Sequence, residues 1–444
     1  PLANRACPSG ERRVKVLVVG GGGREHALTW GLARSPLVTE LHVAPGNAGI
    51  AQLATCHDVA ADDVEQMVKL VDQLTPDLVV VGPEAPLVAG LADRVRAMGV
   101  PAFGPGADAA RLEGSKAWSK RVMESGNIPT AGAGTFTEVG PAVAFVRELG
   151  GRAVVKADGL AAGKGVTVAM ESSGAELAIR DCLEGGAFGE AGETVVVEEL
   201  LEGPEVSSFA LVAGGRVVPL GLSQDFKRIG DGDTGPNTGG MGAYSPLPFV
   251  DHATERSIED IAERTVATLG SMGIGYSGLL YTGLMLTADG PKVLEYNCRF
   301  GDPETEVIVP RLAGGLANLL MAVATDRPDD VEVAMSADAA VTVIVASGGY
   351  PGSYETGIPI DGLDAAAAVA GAVVFHAGTA QADGRVVTAG GRVLSVTGTG
   401  ASIGEARDHA YAAVARVSFE GMTTRTDIAQ AAATHRPNVD REGT

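Results

Sequence analysis

Residues 156–166 read KADGLAAGKGV, a glycine-rich stretch that decides which fold the chain is expected to adopt. It nearly matches the phosphate-binding P-loop, G-x-x-x-x-G-K-[ST], which joins a strand to a helix. Gly159 and Gly163 are, however, separated by three residues, and Gly165 stands where the P-loop requires a hydroxyl. The sequence VTVAM follows and is β-branched, which predicts a strand. The stretch is therefore a loop between two strands and not a P-loop.

Two lysines belong to this loop, and they suggest what it binds. Lys156 and Lys164 flank the glycines, and glycine lets backbone N–H groups approach an anion closely. A flap of this kind suits a nucleotide polyphosphate that is covered from above. A surface hairpin made flexible by glycine is the alternative that these residues leave open.

The segment 14–113 predicts a Rossmann-like domain. It opens with VKVLVVGGGGREHAL, in the order strand, glycine turn, helix, and two further apolar strands end in APGN and VGPE. Apolar strands that alternate with helices form a parallel sheet buried on both faces. The dinucleotide fingerprint G-x-G-x-x-G fails, because Glu25 or His26 occupies its third glycine position. A phosphate at the helix N-terminus is therefore favoured over NAD and over a purely structural turn.

The rest of the chain is expected to fold into two further domains. Residues 114–332 form the first, with a compact lid subdomain at about 128–196, and residues 333–444 form a smaller α+β domain. A polar stretch at 223–246 contains acids, bases and glycines but few core-forming residues, which is typical of a mobile substrate loop.

Three local elements are predicted within these domains. The pattern indicates helices at 253–270 and 304–325, the second with Asp302 as its N-cap and Pro303 in its first turn. The sequence RVVTAGGRVLSVTG, at 385–398, predicts a β-hairpin.

The sequence LEYNCRFGDPETE, at 294–306, is the strongest local signal for chemistry. Glu295 and Asn297 lie two residues apart on a predicted strand, so both side chains point to one face. A carboxylate and an amide oxygen on one face suit Mg²⁺ beside phosphate groups. Arg299 continues this face towards whatever the metal binds. A solvated strand face of charged residues is the alternative, but the strand is otherwise apolar.

The composition of the chain argues against some classes of binding partner. The net charge of −21 argues against nucleic acid and against an anionic membrane surface. The four scattered cysteines form no C-x-x-C motif, which fits a reducing cytoplasm without structural zinc or a disulfide framework. The first residues lack the apolar core of a signal peptide. We expect a cytoplasmic protein that acts on small molecules.

With these features in order, the chain resembles the ATP-grasp ligases, and among them the glycinamide ribonucleotide synthetase family. The resemblance covers about residues 14–428. It rests on motifs that are specific only as an ordered set: GGGREHAL, APGNAG, VGPEAPLVAG, LEGSKAWSK, VVKADGLAAGKGV, SQDFKR, DTGPNTGGMGAYSP, EYNCRFGDPETE, SGGYPGSY and FHAGT. The resemblance implies a Rossmann-like parallel sheet, an ATP-grasp core with a mobile lid, and a small C-terminal α+β domain.

The resemblance also implies roles for individual residues. Catalysis is expected to depend on Arg299, Lys156 and Asp225, and a metal, Mg²⁺ or Mn²⁺, on Glu295 and Asn297. The residues expected to bind ATP are Lys116, Lys156, Gly163, Lys164, Gly165, Glu198, Glu199, Leu200, Leu201 and Glu205. Those expected to bind the other substrates are Gly20, Gly22, Gly23, Arg24, Glu25, Gly46, Asn47, Pro83, Glu84, Asp225, Lys227 and Arg299.

The reaction implied is the ligation of glycine to 5-phosphoribosylamine with ATP, through glycyl phosphate, as in purine biosynthesis. The alternative is another ATP-grasp carboxylate–amine ligase that uses a different acid, and a nucleotide-binding protein without ligase activity is a third reading. We expect a monomer.

Overall fold

The computed structural model describes residues 13–160, 165–185 and 189–434 of the chain. A five-stranded parallel sheet with the order β3-β2-β1-β4-β5 forms the first domain. Its elements are β1 (Val14–Gly20), α1 (Gly23–Ala33), β2 (Val38–Pro45), β3 (Thr55–Cys56), α2 (Val64–Leu74), β4 (Leu78–Val81), α3 (Glu84–Val88), α4 (Leu91–Ala97), β5 (Ala102–Phe103) and α5 (Ala107–Gly114). Every residue of β4 is buried, as expected of a central parallel strand covered on both faces.

A second sheet lies within the segment predicted to be a lid. Helix α6 (Lys116–Ser125) leads into this segment. The following elements are β6 (Ala133–Phe136), α7 (Val139–Glu148), β7 (Ala153–Ala157), β8 (Val166–Ala169), α8 (Ser172–Leu183) and β9 (Val195–Glu198). The four strands pair antiparallel in the order β6-β9-β7-β8, and residues of α7 and α8 pack on the sheet in a hydrophobic cluster of its own. The segment therefore has a hydrophobic core of its own.

The third sheet has eight strands and runs through the remainder of the chain, in the order β16-β15-β10-β11-β14-β17-β21-β18. Its first part contains β10 (Glu205–Ala213), β11 (Arg216–Asp225), β12 (Arg228–Gly230), β13 (Thr234–Asn237), β14 (Gly242–Ser245), α9 (His252–Ser271), β15 (Gly278–Thr287), β16 (Gly290–Asn297), α10 (Thr305–Ile308) and α11 (Leu316–Ala324). Strands β12 and β13 stand apart as a small hairpin of their own.

The C-terminal region continues this sheet. It contains β17 (Ala339–Ala346), α12 (Leu363–Ala367), β18 (Ala372–His376), β19 (Thr379–Ala382), β20 (Arg385–Thr388), β21 (Arg392–Gly400), α13 (Ile403–Val414) and α14 (Gln430–Thr434). Four residues of β14 pair with β17, so the sheet crosses from the central region into the C-terminal one. One hydrophobic cluster accordingly includes Leu280 of β15, Val341 of β17 and Val396 of β21.

The predicted α/β and α+β architecture is confirmed, but four local expectations are wrong. The helix expected at 304–325 is divided into α10 and α11 around Gly314 and Gly315. Asp302 is not an N-cap, because its carboxylate accepts a hydrogen bond from Arg24 N–H and pairs with Arg392. These partners lie 278 and 90 residues away along the chain, beyond the reach of local sequence patterns.

The two other errors concern strand pairing. The hairpin expected at 385–398 does not form, since β20 pairs with β19 in a small sheet while β21 lies between β17 and β18. The polar stretch at 223–246 is not one loop but contains the end of β11, the β12–β13 hairpin and β14. Glycine turns permit such short strands, and burial of β14 fixes its pairing.

Among the described residues, the structure contains no helix that is long and apolar enough to cross a membrane.

Candidate active site

The charges of four basic side chains act on one carboxylate between the lid sheet and the eight-stranded sheet. Burial alone would raise the pKa of Glu295, but the charges of Lys227, Lys156, Lys116 and Arg299 lower it below its ordinary value. The four cations come from four separate segments of a chain whose net charge is −21. Such a concentration of positive charge favours a polyanion and keeps Glu295 ionised at neutral pH.

Two lysines share one carboxylate on the lid side. Glu198, at the end of β9, lies with Oε1 3.0 Å from Lys120 Nζ and Oε2 2.9 Å from Lys156 Nζ. We call these three residues the two-lysine triad. Lys156 Nζ also donates a 2.8 Å hydrogen bond to the carbonyl of Leu294, next to Glu295. All three side chains are buried or nearly so, and the triad has one positive charge in excess.

In a second group of charged residues, two carboxylates share one lysine. Lys227 Nζ lies 3.0 Å from Glu205 Oε1 and 3.4 Å from Asp225 Oδ2, and these residues form the two-carboxylate triad. Burial raises the pKa of both acids, and Lys227 opposes that shift. Burial would lower the pKa of Lys227, but the two carboxylates raise it well above its ordinary value. The triad holds one negative charge in excess.

The loop of the sequence KADGLAAGKGV begins beside helix α6. Ser115 caps this helix and also donates its hydroxyl to Asp158, at 3.0 Å, and Asp158 accepts the N–H of Ala117 at the same distance. Lys116 Nζ donates to the carbonyl of Gly159 at 2.8 Å, and burial lowers its pKa. Helix α6 thereby holds the start of the loop.

The structure describes only some of the residues predicted in this loop. Gly163 and Lys164 lie outside the described residues. The carbonyl of Gly165 accepts a 2.8 Å hydrogen bond from Ala157 N–H, which closes the end of the loop onto β7.

The residues expected to contact adenine follow β9. Glu199 N–H donates to the carbonyl of Gly132 at 2.9 Å, and its carboxylate accepts Gly132 N–H at the same distance. Leu200 and Leu201 are half-buried. This segment therefore lies at the join between β6 and β9, beside the two-lysine triad.

Strand β16 brings the two predicted metal ligands to one face. In the β15–β16 ladder Glu295 stands opposite Gly283 and Asn297 opposite Tyr281, two residues apart on each strand. Their carboxylate and amide oxygens fit a hard divalent cation whose other ligands are water and phosphate oxygens. Within the described ranges, no cluster of three or more His, Cys, Asp or Glu side chains is arranged to hold a metal.

Arg299 joins this strand to the first domain. Its guanidinium pairs with Glu113 at 2.9 Å and Glu84 at 3.3 Å, and donates to Asn297 Oδ1 at 3.1 Å. Burial disfavours its charge, but these two carboxylates raise the pKa of Arg299. Glu84 stands at the first residue of α3, directly after Pro83. The structure thus brings residues predicted to bind substrate next to those predicted to bind metal.

The three glycine turns of the first domain pack against one another around Glu25. Gly46 N–H donates to the carbonyl of Gly20, and a Cβ on either Gly20 or Gly82 would collide with the Glu25 side chain. Glu25 Oε2 accepts the N–H of Gly22 at 2.7 Å. The absence of side chains at the glycines is what lets this buried carboxylate fit beneath the turns.

Two amides at the start of α1 already have partners. Gly22 N–H is bonded to Glu25, and Arg24 N–H to Asp302. At Gly23 a Cβ would collide with Glu306, so side chains crowd this helix end. Arg24 pairs with Glu25 and donates to the carbonyl of Phe300 at 3.1 Å. A phosphate that bound at this helix end would have to displace the carboxylates of Glu25 and Asp302 from these amides.

The side chain of Asn47 links two glycine turns of the first domain to the C-terminal region, a contact that the sequence did not predict. Its Nδ2 donates to the carbonyls of Gly21 and His376, and its Oδ1 accepts Gly49 N–H and Ile50 N–H. These four bonds use the full capacity of an amide side chain. A contact between Asn47 and substrate would therefore come from its backbone.

Sequence reasoning missed three residues of this site. Lys120 follows Lys116 by four residues, so the helical spacing in SKAWSK was a usable signal. Glu113 stands in the quoted motif LEGSKAWSK but was assigned no role. Arg392, which bonds Asp302 and the carbonyl of Gly239, had no local signal.

Comparison with known proteins begins with the fold. The biotin carboxylase domain of Hydrogenobacter thermophilus 2-oxoglutarate carboxylase, solved with MgADP, is 16% identical to the chain, with a TM-score of 0.70 over 93% of this chain and 92% of that one. The biotin carboxylase of Campylobacter jejuni is 13% identical, with a TM-score of 0.72 and 93% of each chain covered. The chain has the ATP-grasp fold of these carboxylases, and ATP-grasp enzymes bind ATP and divalent metals.

Three family models then match in order along the chain. They are the phosphoribosylglycinamide synthetase N domain over residues 14–113, the ATP-grasp (A) domain over 114–305 and the C domain over 340–431. The chain belongs to the phosphoribosylglycinamide synthetase family, which confirms the resemblance stated from its motifs.

Individual relatives agree with this assignment. The phosphoribosylamine–glycine ligase of Rhizobium meliloti is 52% identical over 94% of this chain and 98% of the relative. That of Streptomyces coelicolor is 53% identical over 95% and 100%. The crystal structure of phosphoribosylamine–glycine ligase from Thermotoga maritima is 36% identical, with a TM-score of 0.83 over 94% of this chain and all of that one.

Proposed function

We propose that this protein is an ATP-dependent ligase that joins glycine to 5-phosphoribosylamine and gives glycinamide ribonucleotide, ADP and phosphate. Relatives about half identical over nearly the whole chain bear the name of this activity. The observation that carries the proposal is the group of four cations whose charges act on Glu295, because a triphosphate and an acyl phosphate both need such a site.

The reaction proceeds in two steps. A carboxylate oxygen of glycine attacks the γ-phosphorus of ATP, the bond to the β-phosphate oxygen breaks, and ADP leaves. The amine of phosphoribosylamine then attacks the carbonyl carbon of glycyl phosphate, phosphate leaves, and the amine loses a proton. Activation is needed because a carboxylate repels nucleophiles and oxide is a poor leaving group.

ATP is assigned to the cleft on the lid side. Lys116 and Lys156 neutralise its phosphates, supported by the positive excess of the two-lysine triad. The loop that includes Gly163, Lys164 and Gly165 covers the phosphates. Glu198, Glu199, Leu200 and Leu201 present backbone groups to adenine, and Glu205 accepts the ribose hydroxyls.

Glu295 and Asn297 are the proposed ligands of a divalent metal, Mg²⁺ or Mn²⁺. When bound, the ion neutralises phosphate charge and orients the phosphoryl group. Arg299 holds Asn297 in place through its 3.1 Å hydrogen bond and adds a positive charge beside it.

Glycine and phosphoribosylamine are assigned to Asp225 and Lys227 of the two-carboxylate triad and to the first domain, while Glu205, the third member of the triad, faces the ribose of ATP. Lys227 attracts the carboxylate of glycine, and Asp225, whose pKa burial raises, is suited to accept the proton of the attacking amine. The phosphoribosyl group lies at the glycine turns of the first domain. The residues assigned to it are Gly20, Gly22, Gly23, Arg24, Glu25, Gly46, Asn47, Pro83, Glu84 and Arg299.

The proposal includes the organisation of the chain. Its domains are residues 14–113, 114–332 and 333–444, and the segment 128–196 closes over ATP so that water does not hydrolyse the acyl phosphate. We propose a monomer that works in the cytoplasm on small molecules and binds neither nucleic acid nor membrane, in keeping with its net charge of −21.

The decisive assay is ADP release that requires both amine and acid. Phosphoribosylamine is generated in place from ribose 5-phosphate and ammonia, and glycine is compared with alanine, serine and aspartate. Release of ADP only with glycine and phosphoribosylamine together supports the proposal. A higher rate with another acid identifies a different carboxylate–amine ligase, and no release with any acid contradicts ligase activity.

A further inference from the structure

Arg425, in the C-terminal region, is charged and yet only 1% exposed. Its Nε and Nη2 each lie 2.7 Å from one carboxylate oxygen of Asp427, in a bidentate pair. Its Nη1 lies 2.7 Å from Asp233 in the β12–β13 hairpin. The Asp427 side chain is 22% exposed and that of Asp233 is 67% exposed, so only the guanidinium is fully buried. Such pairs are a weak source of stability, because the hydration lost by the guanidinium offsets its attraction to the carboxylates. The burial of this guanidinium therefore calls for another explanation.

The guanidinium of Arg425 also contacts the two residues that flank Lys227. Its Nη1 donates to the carbonyl of Arg228 at 3.1 Å, and its guanidinium carbon lies 4.9 Å from the ring centroid of Phe226. Arg425 thus contacts both neighbours of the lysine in the two-carboxylate triad, the ring of the residue before it and the backbone carbonyl of the residue after it. The carbonyl of Lys227 itself is fixed by Thr238, whose N–H donates to it at 2.7 Å.

The segment that carries Arg425 is itself held firmly. The hydroxyl of Tyr411, on α13, donates to the carbonyl of Arg425 at 2.9 Å, and Arg407, on the same helix, donates to the carbonyl of Thr426. Thr426 N–H in turn donates to Asp231 at 2.8 Å, at the tip of the β12–β13 hairpin. A path of hydrogen bonds therefore connects α13 to the hairpin through Arg425 and its neighbour.

We propose that Arg425 is a positioning residue for the ligase reaction, which holds residues 226–228 against the C-terminal region and so fixes Lys227 beside Glu205 and Asp225. This inference rests on the proposed function. It gives the C-terminal region a role in the chemistry, although Arg425 lies 198 residues after Lys227 in the chain and touches no substrate.

The geometry requires arginine. Lysine keeps the positive charge, but it lacks the planar fork that pairs with Asp427, reaches Asp233 and stacks on Phe226 at once. Arg425→Lys is therefore expected to leave the fold intact and to loosen the position of Lys227. Because Lys227 is assigned to glycine and its partner Glu205 to the ribose of ATP, the variant is expected to lower kcat/KM for glycine about tenfold and to raise KM for ATP by a smaller factor, about twofold.

Arg385→Lys is the matched control. Arg385 lies in the same C-terminal region and forms an exposed ion pair with Asp361, which lies outside the β12–β13 hairpin. It is expected to change neither constant. An unchanged kcat/KM for glycine in Arg425→Lys, or equal losses for glycine and ATP, overturns the proposal.

A double variant tests whether Arg425 acts through Lys227. If it does, Lys227→Met with Arg425→Lys loses no more activity than Lys227→Met alone. Full additivity of the two losses overturns the positioning role. Should Arg425→Lys fail to fold, Asp233→Asn removes one partner of the guanidinium and is expected to show the same selective loss for glycine.

Hydrogen exchange separates this inference from the proposed function, since it needs no substrate. Amides of residues 226–237 are expected to exchange at least about tenfold faster in Arg425→Lys than in the wild type, which corresponds to a local loss of about 1.4 kcal/mol. Equal exchange in the two proteins overturns the positioning role. A wild type that releases no ADP with glycine and phosphoribosylamine contradicts the proposed function.

Discussion

The two-lysine triad and the two-carboxylate triad each contribute a lysine whose charge acts on Glu295, and they are built with opposite charge. In the first, one carboxylate holds two lysines within 3.0 Å; in the second, one lysine holds two carboxylates within 3.4 Å. The same elements of ion pairing therefore leave a positive excess in the first triad and a negative excess in the second. The first suits phosphates, and the second suits an amine and its proton.

The net charge of a protein therefore does not predict the charge of its active site. A chain of net charge −21 concentrates lysines where the lid sheet meets the eight-stranded sheet, and pays for their burial with single, shared carboxylates. Both triads are asymmetric by one charge, and that charge is available to a ligand. Four variants test the comparison.

The largest effect is expected at Glu295, on which a lysine of each triad acts. Glu295→Ala removes the proposed metal ligand and is expected to lower kcat about 10³-fold. Circular dichroism should match the wild type, and Mn²⁺ binding, followed by electron paramagnetic resonance, should weaken. Near-normal turnover would remove Glu295 from the active site.

Lys156→Met is expected to have the next largest effect. It abolishes the positive excess of the two-lysine triad, since Lys120 alone then balances Glu198. We expect kcat/KM for ATP to fall about 10²-fold, while KM for glycine changes little. Steady-state kinetics with each substrate varied in turn measures this, and an equal rise in both KM values would argue against a lid-side ATP site.

The two-carboxylate triad predicts a pH-dependent loss of stability in Lys227→Met. Burial raises the pKa of Glu205 and Asp225, and removal of the lysine raises both further. A carboxyl group with a raised pKa in the folded state stabilises the fold below its unfolded pKa, and this contribution is lost as pH rises through the folded pKa. The variant should therefore approach wild-type stability at pH 4 and lose about 1 kcal/mol by pH 8, since about a third of the Glu205 and Lys227 side chains is exposed to solvent.

Urea unfolding at both pH values measures this loss. Arg327→Met is the control, because its exposed pair with Asp330 carries no buried acid. A loss in Lys227→Met that is the same at pH 4 and pH 8 would show that the acids are not buried as a pair.

The smallest loss of activity is expected for Lys120→Met. Lys120 shares Glu198 with Lys156, but its remaining bonds go to Thr130 and the carbonyl of Ala131. We expect about a tenfold loss of kcat/KM for ATP, well below that of Lys156→Met. A loss as large as that of Lys156→Met would mean that both lysines contact phosphate.

Much of this arrangement could be predicted from the sequence where the signal is local. Strand β16 has period-two geometry, so the spacing of Glu295 and Asn297 was enough to place them on one face. The glycine turns at the ends of the parallel strands likewise had to meet at one edge of the sheet. Their order with the other motifs identified the family.

What the sequence did not predict depends on contacts between distant segments. Asn47 bonds the carbonyl of His376, 329 residues away, and Arg299 pairs with Glu84 at a separation of 215. The pairing of β20 with β19 instead of β21 depends on competition for β21 by β17 and β18. No propensity or spacing within a short window records which distant partner wins such a competition.

The pairing of β14 with β17 has a consequence for anyone who would divide this protein. In the part of the chain that the structure describes, the four residues of β14 connect β11 to β17, so a cut near residue 338 would split a sheet and not a linker. The truncated chain would expose the edge of a strand that is paired in the intact sheet. Another copy of the chain would be able to pair with that edge. A gene fusion or a split reporter should instead place its junction at the lid, whose sheet and core are self-contained.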